Sequence, residues 1–248
     1  MRHTVILGSY NRPTMVTEAI ASVRAQTNPN WQLLVTDDGS EEPTLRAIRA
    51  ALDGVSLVWL EAEGSVAEVV SARAAPPVAT ALVLHNLERP LSRHDASERA
   101  VRRINAILPF VDGEIVHYLA DDDYYVSGAF AAFDELFQRP EVMVGYGRLV
   151  YVTARGVPTG AERYFPGPVH DPYCVLDHNQ VAHRRTCLER VPQWDPTEIG
   201  DYASDGRFFR ALTQAYGPAY GIDRLVGFKR LHGHNMQATR EQTTAERE

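Results

Sequence analysis

An α/β fold with a mostly parallel central sheet is predicted by three observations. Short apolar runs alternate with helical apolar spacing through the first hundred residues. Each run stops at a cluster of polar turn residues. The chain has 248 residues, 44% hydrophobic and 23% charged, enough for one large α/β domain or two small ones sharing a cleft.

The elements follow in order. Val5–Leu7 is a buried strand, ended by the turn chemistry of Gly8-Ser9-Tyr10-Asn11-Arg12-Pro13. Met15, Ala19, Ile20 and Val23 recur at helical spacing, which predicts a helix over Thr14–Gln26. Trp31–Thr36 is a second strand, stopped by Asp37-Asp38-Gly39-Ser40; Pro43–Leu52 is a helix and Val55–Leu60 a third strand. Residues 61–95 read as an irregular insertion with one strand in the run Val78–Leu84. Ser97–Phe110 reads as a helix carrying Arg99, Arg102, Arg103 and Asn105, and Ile115–Leu119 as a strand running into Asp121-Asp122-Asp123. A helix over Ser127–Phe137 and a strand over Val142–Tyr151 follow. Residues 155–173, rich in Gly and Pro, read as a loop able to serve as a mobile lid. His178–Arg190 and Asp205–Ala215 read as helices, and the polar tail 237–248 is expected to fray. In a parallel sheet ligands bind at the carboxyl edge of the strands, where Tyr10-Asn11 and Asp37-Asp38 both fall.

Several classes of function are disfavoured. A net charge of −7 argues against a main role in gripping nucleic acid or anionic lipid. Two cysteines, Cys174 and Cys187, make no disulfide scaffold and no zinc pattern; they read as reduced, buried thiols of a cytoplasmic protein. No apolar run approaches the roughly 18 residues of a membrane span.

Four features carry chemistry. Three adjacent carboxylates at a strand end repel by about 4 kcal/mol per pair at an effective dielectric of 20. Asp121-Asp122-Asp123 must therefore be solvated, partly protonated or neutralised by a cation such as Mg²⁺ or Mn²⁺. In an extended stretch Asp121 and Asp123 would share one face and Asp122 the other. Asp37-Asp38-Gly39-Ser40 offers a carboxylate to a nucleobase N–H, or closes an Asx turn. Asp205 opens a helix, where it caps or serves as a general base, with Asp201 as its rival. In Arg230-Leu231-His232-Gly233-His234-Asn235-Met236 an imidazole can ligate a metal or sit in a polar turn. His178 and His183 read as structural or acceptor-side.

Together these parts resemble a known family. Val5–Pro13, Ala21–Thr27 and Asp37–Ser40 look like the opening of family-two inverting glycosyltransferases of the GT-A fold, and Gly113-Glu114-Ile115 running into the triplet looks like their DXD strand. Asp177–Arg184, Trp194-Asp195 and Asp205–Phe209 are similar to the spore coat polysaccharide glycosyltransferases within it. The resemblance covers roughly residues 4–60 and 97–237.

The resemblance implies a Rossmann-like nucleotide-binding half (1–125) fused to a smaller acceptor-binding half (126–236). It implies Tyr10 and Asn11 against the base of a UDP- or dTDP-sugar, Asp38 on its ring N–H, Arg99 and Asn105 near base and diphosphate, and Asp121 on the ribose. Asp122 or Asp123, with His232, would hold Mn²⁺ or Mg²⁺, and Asp205 would be the base of a single inverting displacement. The acceptor would be a carbohydrate or glycoconjugate, and exposed apolar segments in the insertion permit a homodimer. The family's common Arg before Asn105 is Ile104 here, which leaves that role to Arg99 or Arg103. The alternatives are a sugar-nucleotide pyrophosphorylase, which expects a basic Gly-rich loop that Ser9–Pro13 is not, and a non-catalytic nucleotide-sugar-binding relative.

Overall fold

The computed structural model describes residues 1–62, 81–88, 93–195 and 204–232. Asp201, Gly233–Met236, the tail 237–248 and most of the insertion lie outside them. The first half runs β1 (His3–Ser9), α1 (Pro13–Arg24), β2 (Trp31–Asp37), α2 (Glu42–Ala51), β3 (Leu57–Ala62), β4 (Ala81–Asn86), α3 (Arg93–Ile107) and β5 (Ile115–Ala120). The second runs β6 (Tyr124–Tyr125), α4 (Ala129–Leu136), β7 (Val144–Thr153), β8 (Pro158–Arg163), β9 (Val181–Arg184), α5 (Ser204–Tyr216) and β10 (Tyr220–Leu231).

The ten described strands form one sheet in the order β3-β4-β2-β1-β5-β9-β7-β10-β6, with β8 on the side of β7. The five strands from β3 to β5 are parallel. Strand β9 runs against both β5 and β7, so β7 is restored to the direction of β5, and β10 pairs parallel to β7. Seven strands therefore point one way, and β1, β2, β4, β5 and β10 all end at the same edge.

Alternation with period two sends β-strand side chains to two cores. Val5 and Leu7 pack with Val16 and Ile20 of α1 and with Phe130 and Phe133 of α4. Ile6, Leu34, Val116 and Tyr118 pack on the opposite face with Val101 and Ile107 of α3 and with Phe208 and Leu212 of α5. Helix α1 begins with Pro13 in its first turn, where the missing N–H costs nothing, and buries Val16, Ala19, Ile20 and Val23 on one stripe.

Five expectations are corrected. The His178–Arg190 segment is not a helix: a 3-10 turn (His178–Gln180) leads into β9 and a second 3-10 turn (Arg185–Glu189), because Val181 and Ala182 fill the slot between β5 and β7. Residues 155–173 are not one open loop. They contain β8, and the Tyr146 hydroxyl donates to Phe165 O and Gly167 O at 2.7 Å each, while Arg210 grips Asp171 with two bonds of 2.9 Å. Helix α3 stops at Ile107, where Leu108-Pro109-Phe110 turns into a 3-10 helix instead of completing the helix predicted to Phe110. The strand expected in the run Val78–Leu84 continues two residues further, to Asn86, and as β4 is wholly buried between β2 and β3. Cys187 is buried as expected, but Cys174 is exposed, at a left-handed φ of 56°.

Buried histidines set a pH limit on the fold. His3 Nδ1 lies 2.8 Å from His117 Nε2 inside the α4-side core, and His183 Nε2 lies 3.0 Å from the Tyr118 hydroxyl. Burial lowers all three, His183 to about 4. A base with a depressed folded pKa contributes its full stability above about pH 6.5 and loses it as pH falls toward the folded value. For His183 that loss is on the order of 3 kcal/mol. Imidazole NMR titration should show His117 and His183 still neutral at pH 5.5; protonation of either near pH 6.5 would contradict this burial.

Candidate functional site

The strand ends build the site. Strand β1 lies between β2 and β5, so the turn after β1 is flanked by Asp37-Asp38 on one side and by the Asp triplet on the other. Asn11 takes a left-handed φ of 49°, which turns the chain toward α1. Its N–H donates to Ser40 Oγ at 2.9 Å, and its Oδ1 accepts from Glu41 N–H at 2.7 Å. Tyr10 is 37% exposed, with its ring free to meet a flat ligand, and its N–H donates to Asp121 Oδ2 at 2.9 Å.

The two readings of Asp37-Asp38 divide between the residues. Asp37 closes the turn: it accepts from Ser40 N–H at 3.0 Å and from Ser40 Oγ at 2.6 Å, and it meets His85 Nδ1 at 2.8 Å. Gly39, at φ 74°, supplies the left-handed step that lets the turn close. Asp38 is buried too, and it faces α3. It meets Arg99 Nε at 2.9 Å and pairs with Arg103 one helical turn on. Both arginines thus converge on Asp38, and Arg103, buried beside it, is pushed down to about 9 by desolvation. Asn105 is turned elsewhere: its amide donates to Trp194 O at 2.8 Å and accepts from Trp194 N–H at 2.7 Å, an anchor for the 3-10 region before α5.

The triplet does not alternate as an extended strand would. Strand β5 ends at Ala120, and Asp123 N–H bonds back to Ala120 O at 3.2 Å, so the three aspartates lie on a turn. Asp121 and Asp122 share one guanidinium: Arg12 Nη1 is 2.6 Å from Asp121 Oδ1 and 3.3 Å from Asp122 Oδ2. Burial raises Asp121 to about 6, with Arg12 opposing the shift. Asp122 Oδ2 also meets His232 Nε2 at 3.0 Å, where the end of β10 arrives beside β5's turn. Asp123 points inward. It accepts from Arg230 N–H and from Asn179 Nδ2, both at 2.7 Å, with Lys229 Nζ at 3.8 Å, and burial raises its pKa.

Of the two aspartates considered as metal ligands, Asp122 is the one that meets an imidazole among the described residues. A carboxylate oxygen and an imidazole nitrogen are a donor set that suits Mn²⁺. Among the described residues no group of three or more acidic, histidine or cysteine side chains could hold a metal by itself. This pair therefore fits a cation whose remaining ligands come from water and phosphate.

A second cluster continues inward from Asp123. Asp177 caps the 3-10 turn, accepting from Asn179 N–H at 3.1 Å and Asn179 Nδ2 at 2.6 Å, and it pairs with buried Lys229 at 2.7 Å. Asn179 joins the two clusters, since the same amide reaches Asp123 and its Oδ1 accepts from Ala120 N–H. On this turn His178 Nδ1 lies 3.4 Å from Asp205 Oδ2. Asp205 sits in the first turn of α5, with Oδ1 accepting Gly206 N–H at 2.8 Å, and its side chain is 24% exposed. Gly206 lets the 171–174 loop lie close, since a Cβ there would come within 3.1 Å of Tyr173.

Sequence reasoning missed Arg12, Lys229 and the partnership of His178. Arg12 stood in the quoted opening segment, and its position one residue past Asn11 was the available signal. Lys229-Arg230 in a strand-forming context was the signal for a buried cation.

Comparison with known proteins agrees with the fold. Residues 4–68 match the model of Glycosyl transferase family 2. Protein CgeD of Bacillus subtilis (strain 168) is 28% identical over 193 residues, covering 76% of this chain and 39% of that protein. The structure of S. aureus TarS 1–349 in complex with UDP superimposes with a TM-score of 0.65 at 18% identity, over 93% of this chain and 61% of that one. A mannosyltransferase from Pyrobaculum calidifontis, solved with GDP-Man and Mn²⁺, superimposes at 0.63 and 17% identity, over the whole of this chain and 64% of that one. The chain thus spans less than two thirds of each of these proteins.

Proposed function

We propose an inverting glycosyltransferase that moves a sugar from a nucleotide-diphosphate sugar to an acceptor hydroxyl, a reading supported by the match of residues 4–68 to Glycosyl transferase family 2 and by the GT-A form of the sheet. The observation that carries it is the shared strand edge. Asp38 with Arg99 at the end of β2, and Asp122 with His232 at the ends of β5 and β10, lie on either side of the exposed Tyr10 turn. This arrangement supports reading Asp38 as the carboxylate that meets the base and Asp122 with His232 as the pair that holds a cation, on either side of a stretch suited to a nucleoside diphosphate. One continuous sheet carries both halves, and we read residues 1–236 as one domain.

Each residue then has a task. Tyr10 stacks on the base, Asp38 accepts its ring N–H, and Arg99 holds Asp38 toward it. Asp121, fixed by Tyr10 N–H and Arg12, faces the ribose. Asp122 and His232 would hold a divalent cation, which supplies charge compensation for the departing diphosphate. Asp205 takes the proton of the acceptor hydroxyl as that oxygen attacks the anomeric carbon from the face opposite the nucleotide, and a single displacement inverts the centre.

The TarS complex with UDP supports a uracil-type base, and the GDP-Man complex makes guanine the alternative to test. The acceptor is a carbohydrate or glycoconjugate hydroxyl, which places the enzyme in polysaccharide or glycoconjugate synthesis. No helix among the described residues is long and apolar enough to cross a membrane.

Calorimetric titration of UDP, dTDP and GDP, each with and without Mn²⁺, tests the reading. One nucleotide should bind with Mn²⁺ and at least tenfold more weakly without it, a difference of about 1.4 kcal/mol. Absence of binding by all three, with or without metal, would overturn the donor site.

A further inference from the structure

We propose that His178 is the positioning residue of the base, holding the Asp205 carboxylate through its Nδ1–H while the acceptor proton is taken. The proposal rests on the reading of Asp205 as that base. The two residues stand 27 apart in sequence on different elements, and the fold brings Nδ1 to 3.4 Å from Oδ2. That separation is long for a hydrogen bond, and such contacts in ligand-free sites tighten when substrate binds.

The geometry on both sides supports a fixed donor facing a movable acceptor. Among the described residues Asp205 takes the Gly206 N–H on Oδ1 and His178 on Oδ2, so Oδ2 is the oxygen that His178 steers. His178 itself cannot drift. The capping box of Asp177 and Gln180 locks its turn, Gln180 donates to Gly147 O at 2.9 Å, and Asn179 ties the turn to Asp123 and Ala120. The histidine thus stands on a scaffold built onto the turn that carries Asp122.

The charges around the ring favour a protonated imidazole. Asp205 faces it from α5, Asp177 Oδ1 lies 4.0 Å away on its own turn, and Lys229 approaches Asp177 from β10. Burial works against the charge and Lys229 weakly so, but the hydrogen bond to Asp205 and the two carboxylates outweigh both, and the pKa of His178 is raised. As Asp205 accepts the acceptor's proton the pair loses its attraction; Asp205 then gives that proton to water, which restores the carboxylate beside the imidazolium, so one proton leaves the site per turnover.

Two measurements test this. The His178 imidazole, followed by NMR, should titrate above pH 6.5 in the wild-type chain and at lower pH in Asp205→Asn; identical titration in both would overturn the pairing. Initial rates are then measured with UDP-, dTDP- and GDP-hexoses, water or a mixed oligosaccharide pool serving as acceptor. His178→Phe should lower kcat about tenfold or more while leaving the donor KM within about twofold. His178→Asn, whose amide N–H can occupy the place of Nδ1–H, should recover most of kcat. Unchanged kcat in His178→Phe, or no recovery of kcat in His178→Asn, would overturn the role of His178 and leave the glycosyltransferase reading standing. A wild-type chain that turns over none of these donors would instead overturn that reading, and the proposal with it.

Discussion

Asp205→Asn is expected to cut glycosyl transfer by roughly 10²–10⁴-fold, the usual contribution of a positioned general base. Nucleotide affinity in the presence of Mn²⁺ should stay within about twofold of wild type. The substitution is chosen to isolate proton transfer. Asn retains an oxygen to accept the Gly206 N–H at the start of α5, and Asn and Asp serve helix starts about equally well. It removes the one thing an amide cannot do near neutral pH, which is to take a proton. The donor-side residues Asp38, Arg99, Asp122 and His232 lie on β2, α3 and the ends of β5 and β10, whereas Asp205 lies on α5. Steady-state kinetics beside calorimetry will separate the two effects. Turnover within threefold of wild type would mean that Asp205 is not the base; lost nucleotide binding would mean that it belongs to the donor site instead.

The second large effect falls on stability. Lys229 is 7% exposed, and its ammonium stands 2.7 Å from Asp177 and 3.8 Å from Asp123. Both carboxylates are buried, and neither can be hydrated once the lysine is gone. Their attraction raises the lysine pKa and holds Asp177 well below the usual carboxylate range, so the ions persist across the neutral range. Lys229→Met keeps the length of the side chain and removes its charge. Breaking a buried pair by deleting one partner costs about 3–5 kcal/mol, because the remaining charge is uncompensated. For a chain of this size each kcal/mol moves Tm by about 2–4 °C, so a loss near 10 °C is expected in thermal unfolding followed by circular dichroism. A shift below about 2 °C would mean that water or a rearranged side chain replaces the ammonium.

The two predictions touch different degrees of legibility. Strands β1, β2 and β5 were readable because each is a short apolar run closed by its own polar turn, and both signals are local. Their parallel arrangement followed from the intervening helices, and with it the common edge at Tyr10, Asp38 and Asp121. Strand β10 was not readable. Asp223, Arg224, Lys229 and Arg230 break its apolar alternation, Gly221 and Gly227 weaken it further, and its pairing with β7 shifts register twice. It is a strand because β7 and β6 satisfy its backbone and because buried acids satisfy its cations. β9 likewise owes its form to the slot between β5 and β7, and four residues carry too little periodicity to announce it.

The candidate site divides in the same way. Residue type at strand ends and at a helix start picked out Asp37-Asp38, the Asp triplet, Asp205 and His232 as candidates, and the family resemblance assigned each a role. What each one faces depended on contacts between residues far apart in the chain. Asn105, expected at the nucleotide, is held by Trp194, 89 residues on. Asp122 and Asp123 are chemically identical neighbours, and sequence has no means to rank them. The turn after β5 gave Asp122 to His232, 110 residues away, and turned Asp123 toward Lys229 and Asn179. The sequence by itself determined which chemical groups the chain brings to the sheet edge, because strand ends and turns are encoded within a few residues. Only the tertiary structure decided which carboxylate is spent on internal charge balance and which is paired with an imidazole at the strand ends, because that depends on cations and amides delivered by other strands.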